Sequence, residues 1–482
     1  MLEAHAHNQF KRLLGLSPTA WPHNLTLCRL VARSVRRKDR SLIHLETSSE
    51  NSWWLGLLIP LCLEPSNLVL VLAPRERRRL LQVELPRLKD QGFTLSCWQG
   101  STPSPENHIW LMNHYEFIQA IRNRYIHPFH QIIFLEAGFL SQRFRDAMEI
   151  KIKPKDWEDL RAAYPSAGNH LLELYKSLSN RIASNTTSIN SQVKMNCQEA
   201  IALRDLLSLL GDLPSPWSDF LEVDSDCWAG WSQFEPKTLN WYWHLKPLYP
   251  FHFLKKIINN NPILFISRNK QINLLINQSE GLNNLIDINI KLGGSIIQEP
   301  IPLFAPKSQP LPNTAAFESN LLDQCRRLIL GRTGLTIIAL DDSNLREKLA
   351  ANLASEFGTR VIHQSTSADT NGVICCSWSW WLQHYDNLPP PEQLVVALLP
   401  LPSLKSPLVA ARVEALKSKG RDWFRELLLP EALLVLSQSV EPVRINGGRI
   451  AILDGRLRLR SWGGQVFRSI EPWVALNRLL PG

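Results

Sequence analysis

Residues 45–60 combine the layout of a phosphate site with residue types that cannot bind phosphate. A short apolar strand that ends at Leu45 leads into a polar loop, and an apolar helix begins near Trp53. In such a loop, glycines let backbone N–H groups surround the phosphate and a lysine neutralises it. The positions where these residues are expected carry Ser48, Glu50, Ser52, Trp53 and Trp54. We therefore interpret the loop as a nucleotide site that bulky side chains have filled.

Each of these residue types acts against phosphate binding. The neutral indole of Trp53 cannot supply an ammonium group, and Trp54 offers no hydroxyl to magnesium. A carboxylate at Glu50, about 4 Å from a phosphate charge, would repel it by about 1 kcal/mol in water and by several in a partly buried site. The structural alternative is that both indoles are the buried start of a core helix, which is compatible with an inactive site.

The composition indicates a folded, basic protein of several domains. The chain has 482 residues, of which 44% are hydrophobic and 20% charged, and this length predicts two to four domains. A formal net charge of +9 favours a polyanionic partner, usually nucleic acid, although an indifferent basic surface would give the same charge.

The cysteines and apolar runs favour a cytoplasmic protein without a metal centre or a membrane span. Eight cysteines are scattered without a C-x-x-C pair or a Cys/His cluster of zinc or iron–sulfur spacing, so we expect reduced thiols. The N-terminus lacks the apolar core of a signal peptide. The apolar run from Trp53 to Leu63 is shorter than the roughly 20 residues that cross a bilayer.

The elements that must position this loop follow an alternating pattern. Apolar strands alternate with amphipathic helices in residues 1–140, around 240–300 and in 315–482, which predicts parallel sheets with crossover helices. The predicted strands are 42–46, 68–73, 109–112, 131–135, 262–267, 335–340, 360–363, 372–376, 393–399 and 449–453. The predicted helices include 53–63, 75–89, 115–124, 344–357 and 406–419. The predicted fold class is α/β.

Residues 141–235 differ from both flanking regions. Helical periodicity dominates there, at 157–162, 170–178 and 199–210, so we interpret the segment as a mostly helical insertion. A polar stretch at 179–192 is predicted to be a flexible loop. Closely spaced prolines predict a linker at 301–314.

Several segments, taken in order, resemble the DinG/XPD branch of superfamily 2 DNA helicases. The clearest is 399–439, which is similar to that family's "LPF…P-x-x-P-x-x-x-A-R-x-E…LP-x-A…Q" signature. Further matching segments are 68–88, 110–117 with its Asn-His pair, 130–140 at the acidic box, 239–267 and 372–381. No one motif is specific alone, but their order and spacing are, and they cover nearly the whole chain outside 141–235.

The resemblance implies two RecA-like domains with the insertion in the first. The first domain would comprise 1–140 and 236–300, with the degenerate phosphate loop at 45–54. The second, similar to a helicase C-terminal domain, would comprise 315–482, beyond the linker.

Measured against that family, the residues of ATP chemistry are replaced throughout. In the acidic box the magnesium-holding Asp reads Leu135, and Glu136 remains as the remnant of the catalytic base. Both carboxylates and the glycine of the D-x-S-F-W-E-G segment are gone at 378–383, where Trp378, Trp380 and Trp381 are expected to alternate as on a strand. The first arginine of the arginine motif reads Pro442, and Arg444 stands near the second.

These replacements lead us to expect no cofactor. ATP and Mg²⁺ are expected only if the protein is an active helicase. Only Cys97 lies where iron–sulfur members carry four cysteines, so no cluster is expected.

The resemblance also suggests residues that could contact a nucleic-acid strand. By position these are Arg75 and Arg77 after the second strand, the pair Asn113 and His114, and Arg444. Basic runs at 33–40 and 75–79 could add phosphate contacts. The alternative is that the charge runs are solvated faces and that His114 is structural.

The favoured hypothesis is a helicase-like fold that has lost its motor and binds single-stranded or branched DNA without hydrolysing ATP. An active ATP-dependent DNA helicase is one alternative. A protein-interaction scaffold, with 141–235 as the docking surface for a protein partner, is another. No membrane partner is expected.

Overall fold

A computed structural model of the chain describes residues 2–14, 21, 23–46, 53–65, 67–185, 191–195, 197–224, 226–268, 286–293 and 299–476. The helices are α1 (Leu2–Leu14), α2 (Asn24–Arg37), α3 (Trp54–Leu63), α4 (Pro74–Arg79), α5 (Leu85–Asp90), α6 (His114–Arg122), α7 (Leu140–Ala147), α8 (Pro154–Ala163), α9 (Gly168–Asn185), α10 (Cys197–Ser208), α11 (Trp217–Leu221), α12 (Pro250–Asn260), α13 (Ala316–Ile329), α14 (Ser343–Phe357), α15 (Trp378–His384), α16 (Pro407–Ser418), α17 (Leu429–Ile445), α18 (Arg456–Leu459) and α19 (Gly463–Ser469). The strands are β1 (Ser41–Leu45), β2 (Leu68–Val71), β3 (Cys97–Trp98), β4 (Ile109–Met112), β5 (Gln131–Leu135), β6 (Ile150–Ile152), β7 (Gln192–Lys194), β8 (Trp228–Glu235), β9 (Asn240–Pro247), β10 (Ile263–Ser267), β11 (Ile288–Leu292), β12 (Ile301–Phe304), β13 (Leu335–Ala339), β14 (Val361–His363), β15 (Val373–Cys376), β16 (Pro391–Val396), β17 (Arg449–Ile452) and β18 (Trp473–Ala475).

The first sheet contains seven parallel strands in the order β11-β1-β10-β5-β2-β4-β3. Its central strands are apolar on both faces, as a parallel sheet covered by helices requires. Helices α1 to α5 pack on one face, and α6, α7 and α12 pack on the other. The residues that follow the strand ends therefore meet at one edge, where the sequence placed its candidate site.

The second sheet also contains seven parallel strands, in the order β14-β15-β13-β16-β17-β12-β18. The prediction of two parallel-sheet α/β domains is confirmed. The first residues of the predicted linker, however, are strand β12, which pairs with β17 and β18. Proline is tolerated there because Pro302 lies in a short strand near the sheet edge.

The insertion contains the predicted helices and a sheet that the sequence did not reveal. Its four strands pair antiparallel in the order β6-β9-β8-β7, and β9 lies beyond residue 235. Burial alternates along β9, so Trp241, Trp243 and Leu245 face the core. The predicted loop at 179–192 differs too, since 179–185 continue α9 and 192–194 form β7; residues 186–190 lie outside the described residues.

The insertion packs on the second domain through helix α16. Trp231 of β8 and Leu248 lie in one apolar cluster with Leu408, Ala411 and Ala415 of that helix. We call this cluster the insertion contact. Just beyond it, the Lys194 ammonium lies 3.2 Å from the Glu414 carboxylate. No helix in the described part of the chain is long and apolar enough to cross a membrane.

Candidate nucleotide and nucleic-acid site

The carboxyl edge of the first sheet collects most of the predicted site residues. Trp53 follows β1, Arg75 follows β2, Asn113 follows β4 and Glu136 follows β5. Because these strands are parallel neighbours, their C-terminal ends lie side by side. The sequence therefore identified one structural location, and the contacts made there decide what each residue can do.

Trp53 and Trp54 fill the start of helix α3. Each side chain is only 2% exposed, and their rings stack with centroids 4.7 Å apart and planes 19° apart. Both belong to the apolar core between the sheet and helices α1 to α5. Ser48, Glu50 and Ser52 lie outside the described residues. The amino end of α3 is thus occupied by packed indoles where a phosphate site would place an ammonium and a hydroxyl.

Glu136 is held by an arginine that the sequence did not single out. Its carboxylate is 6% exposed and accepts a hydrogen bond from Arg268 Nε at 2.5 Å. The Glu136 backbone is left-handed, with φ 51° and ψ 51°, which is uncommon for a residue other than glycine. Arg268 directly follows β10, the neighbour of β5. This carboxylate is therefore compensated by a fixed cation on the adjacent strand end.

Asn113 and Arg77 form one hydrogen-bonded network at the start of helix α6. Asn113 caps the helix, since its Oδ1 accepts from Glu116 N at 2.8 Å and its own N–H donates to Glu116 Oε2 at 2.7 Å. Arg77 Nη1 lies 3.0 Å from the same carboxylate, and its Nη2 donates to Gln99 Oε1 at 2.9 Å. Both predicted strand-contacting side chains thus have structural partners.

His114 lies in an aromatic pocket behind the edge. Its ring meets the Phe144 ring edge-on with centroids 5.4 Å apart, and the side chain is largely buried. Burial lowers the pKa of His114 to about 3, and the nearby positive charge of Arg143 contributes to the same shift. A neutral, buried imidazole fits the structural reading of this residue.

Arg75 spans the two domains instead of facing an open groove. Its guanidinium forms a two-point ion pair with Asp386, in which Nη2 donates to Oδ1 at 2.8 Å, and it stacks 4.2 Å from the centre of the Tyr385 ring. Asp386 and Tyr385 follow α15 in the second domain. Sequence reasoning missed these partners because 311 residues separate Arg75 from Asp386.

Arg444 lies away from the other candidates. Its guanidinium donates to the carbonyls of Ile470 at 2.6 Å and Pro472 at 2.8 Å. Pro472 immediately precedes β18, so this arginine lies at the amino edge of the second sheet. The fold therefore separates Arg444 from the carboxyl edges, where a nucleotide between two such domains would bind.

The tryptophans at 378–381 form helix α15, so the predicted strand-like alternation is wrong. Ser377 caps this helix by accepting from Trp380 N at 3.2 Å, which favours a helix start over a strand. Trp378 and Trp381 are buried, and their Nε1 atoms donate to backbone carbonyls at 3.1 Å. Trp380 is half-buried and stacks on His384 with centroids 4.6 Å apart.

A second junction between the domains was also not predicted. Arg145 of α7 is 4% exposed, and its Nε donates to the Pro247 carbonyl at 3.1 Å. Burial lowers the pKa of Arg145 to about 9, and the charges of Arg412 and Glu431 in the second domain act on it in opposite directions. Arg412 and Glu431 themselves form an ion pair at 2.5 Å. The A-R-x-E segment of the sequence contains Arg412 and was the one signal that could have pointed to this junction.

These residues do not fit ATP with magnesium. In the described residues, no group of three or more His, Cys, Asp or Glu side chains could hold a metal ion. Leu135 and Trp53, which the sequence resemblance aligns with the metal-holding carboxylate and the lysine, offer neither group, and Glu136 is paired with Arg268. The set of donors that phosphoryl transfer needs is therefore not assembled from the described side chains.

Comparison with known proteins gives a match in structure but none in sequence. No protein-family model matches the chain, and no curated protein does so either. An apo XPD structure aligns with a TM-score of 0.61 at 12% identity, over 94% of this chain and 100% of that chain. A structure of an XPD helicase aligns with a TM-score of 0.61 at 11% identity, over 95% of this chain and 100% of that chain. The structure of S. tokodaii Xpd4 aligns with a TM-score of 0.60 at 12% identity, over 93% of this chain and 98% of that chain. The chain therefore has the fold of these helicases, with two RecA-like domains.

Proposed function

We propose that this chain, which has the fold of the XPD helicases, is a nucleic-acid-binding protein that does not hydrolyse ATP. The observation that carries the proposal is the stacked, buried pair Trp53–Trp54 at the start of α3. A phosphate at this helix start would have to displace packed indoles from the core. Removing a buried aromatic side chain from a core costs about 3–5 kcal/mol, more than one added phosphate contact returns.

The acidic remnant supports the same conclusion. A catalytic carboxylate must be able to accept a proton from an attacking water or to orient it. Glu136 instead accepts a charge-assisted hydrogen bond from Arg268, which occupies its Oε1 atom. The indoles at the phosphate-binding position and the paired carboxylate at the water-activating position are thus both engaged in contacts within the protein.

The nucleic-acid part of the proposal rests on fold and charge. The fold is that of proteins known as helicases, and the chain has 53 lysines and arginines against 44 acidic residues. A partner with a phosphate backbone suits this charge, and we propose single-stranded or branched DNA. Because Arg75, Arg77, Asn113, His114 and Arg444 all have protein partners or are buried, the cations that bind DNA are expected to lie elsewhere.

Equilibrium binding tests both parts of the proposal. Fluorescence anisotropy with labelled forked DNA should give salt-dependent binding whose affinity is the same with no nucleotide, ATP–Mg²⁺ or ADP–Mg²⁺. A labelled ATP analogue, titrated separately, should not bind. No DNA binding at about 50 mM salt would contradict the nucleic-acid part. A DNA affinity that changes with nucleotide would contradict the inactive site.

A further inference from the structure

The N-terminal helices α1 and α2 carry a concentration of positive charge on one side of the first domain. Residues 2–14 and 24–38 contain seven lysines and arginines but a single acidic residue, Glu3. Glu3 is already engaged by Arg36 through a two-point ion pair, with Nη2 to Oε1 at 2.7 Å. The remaining cations are Lys11, Arg12, Arg29, Arg33, Arg37 and Lys38.

Three of these cations form a line along α2. Arg29, Arg33 and Arg37 are four residues apart, so they lie on one side of the helix with a rise of about 6 Å between neighbours. Arg29 and Arg37 are exposed, and Arg33 is half-buried. Among the residues that the structure describes, none of the three has a carboxylate partner within 4.0 Å. We call this line of guanidinium groups the α2 arginine row.

The opposite face of α2 is fully used by the core. Leu27, Cys28, Val31 and Ala32 are 0% exposed and pack with α3. A helix that binds a membrane surface must insert an apolar face among the lipids, and α2 has none left to insert. The charge complementarity of the row therefore favours a polyanion with a regular charge spacing over a lipid surface.

The surroundings of the row favour duplex over single-stranded DNA. Single-strand sites combine cations with exposed aromatic side chains on which bases stack. The large aromatic side chains that the structure describes in this region, those of Phe10 and Trp21, are buried. A row of arginines without a stacking partner can contact backbone phosphates only, which is how proteins grip a duplex without reading its bases.

The location of the row is also distinct from the candidate site. Helix α2 ends at Arg37, shortly before β1 begins at Ser41, so this end of the row lies at the amino edge of the first sheet. The candidate nucleotide and nucleic-acid site lies at the carboxyl edge. We propose that the α2 arginine row binds the backbone of a duplex DNA arm, an inference that rests on the proposed function and gives it a surface.

A charge-matched pair of variants tests this inference in the full chain. In the row variant, Arg29→Gln, Arg33→Gln and Arg37→Gln remove three charges. In the control, Lys155→Gln, Lys237→Gln and Lys307→Gln remove three charges from lysines elsewhere on the surface. For a labelled duplex, the row variant should bind about tenfold or more weakly at about 50 mM salt. Its slope of log affinity against log salt should fall by about 2.7, or about 0.9 for each phosphate that the protein no longer neutralises. The control should bind within about twofold of the wild type.

Further variants separate an effect on binding from an effect on folding. Arg29→Lys, Arg33→Lys and Arg37→Lys together should keep most of the salt slope, since the charge is retained. If the triple Gln variant is poorly folded by circular dichroism, Arg29→Gln with Arg37→Gln leaves the half-buried Arg33 in place and should lower the slope by about 1.8.

The outcomes distinguish the inference from the proposed function. A wild type that binds no DNA overturns the proposed function itself. A wild type that binds, with a row variant equal to the control, overturns the inference alone. If the row variant loses affinity equally for single-stranded and for duplex DNA, the assignment to duplex DNA is overturned. Row-dependent binding to vesicles of anionic phospholipid, with duplex binding unaffected, overturns it in favour of a membrane surface.

Discussion

The side chains of Trp53 and Trp54 cover the amino end of α3 and also pack in the core of the first domain. Stacked aromatic pairs add about 0.5–1.5 kcal/mol beyond the area they bury. Their rings are 4.7 Å apart and almost parallel. The same contacts that stabilise the first domain therefore oppose a phosphate at this position.

The first prediction concerns the contribution of Trp54 to stability. Trp54→Ala should lower the free energy of unfolding by about 3–5 kcal/mol, because a side chain 2% exposed leaves a cavity in a packed core. Urea denaturation monitored by far-ultraviolet circular dichroism measures this change. Trp380→Ala, at a half-buried tryptophan in the second domain, is the control and should cost less. A decrease below about 1 kcal/mol at Trp54 would show that the indole is not part of the core.

The second prediction concerns acid stability through His114. Its folded-state pKa of about 3 is below the ordinary value of 6.5, so the unfolded chain takes up a proton first as the pH falls. Stability tied to His114 is complete above pH 6.5 and decreases progressively toward pH 3, by about 2 kcal/mol at about pH 5. In His114→Phe this component should disappear, so the denaturation midpoint should fall less between pH 6.5 and about pH 5 than in the wild type.

A packing control separates titration from cavity effects in that measurement. Phe117→Leu alters the same aromatic cluster without adding or removing a titratable group. It should lower stability by a similar amount at every pH. Parallel pH profiles for His114→Phe and the wild type would refute the assignment to His114.

At the scale of elements, the insertion and the second domain meet through helix α16. The apolar contact of Trp231 and Leu248 with Ala411 and its neighbours is accompanied by two ionic junctions, Arg75–Asp386 and Arg145 beside Arg412–Glu431. The Arg75–Asp386 pair is partly exposed, and such pairs contribute little, so the apolar insertion contact is expected to contribute more than this pair.

The third prediction is that Ala411→Glu releases the insertion from α16. The variant places a carboxylate against Trp231 and Leu248, where it is poorly hydrated. Hydrogen–deuterium exchange should rise in Trp228–Glu235 while the second sheet keeps its protection. Glu414→Gln on the same helix removes only the exposed pair with Lys194 and should leave exchange unchanged. Unaltered exchange in β8 of Ala411→Glu would refute the contact.

Local sequence patterns predicted the elements better than the contacts among them. The strands at 109–112 and 131–135 were predicted with their observed bounds, because buried parallel strands are short apolar runs between turn residues. The antiparallel strands β8 and β9 were missed, since tryptophans and polar residues alternate there and resemble no parallel strand. Pairs such as Glu136–Arg268 were invisible, because only the tertiary fold brings residues 132 positions apart together.

For the whole molecule, the comparison with XPD structures concerns the fold. The structure retains two RecA-like domains over nearly the full length of XPD structures, at 11–12% identity. Our proposal is that the side chains at the carboxyl edge of the first sheet, with Trp53 and Trp54 stacked and buried, do not support ATP hydrolysis within this fold. A fold can persist without its activity because packing, not catalysis, determines it. We expect the chain to bind DNA through the basic surface of this fold.

The most direct test of the central claim is ATP hydrolysis by the full chain with and without DNA. Phosphate release should equal the protein-free background under both conditions, and Glu136→Gln should give the same value. DNA-stimulated turnover that Glu136→Gln abolishes would show that Glu136 acts as a catalytic base and would contradict the proposed loss of the motor.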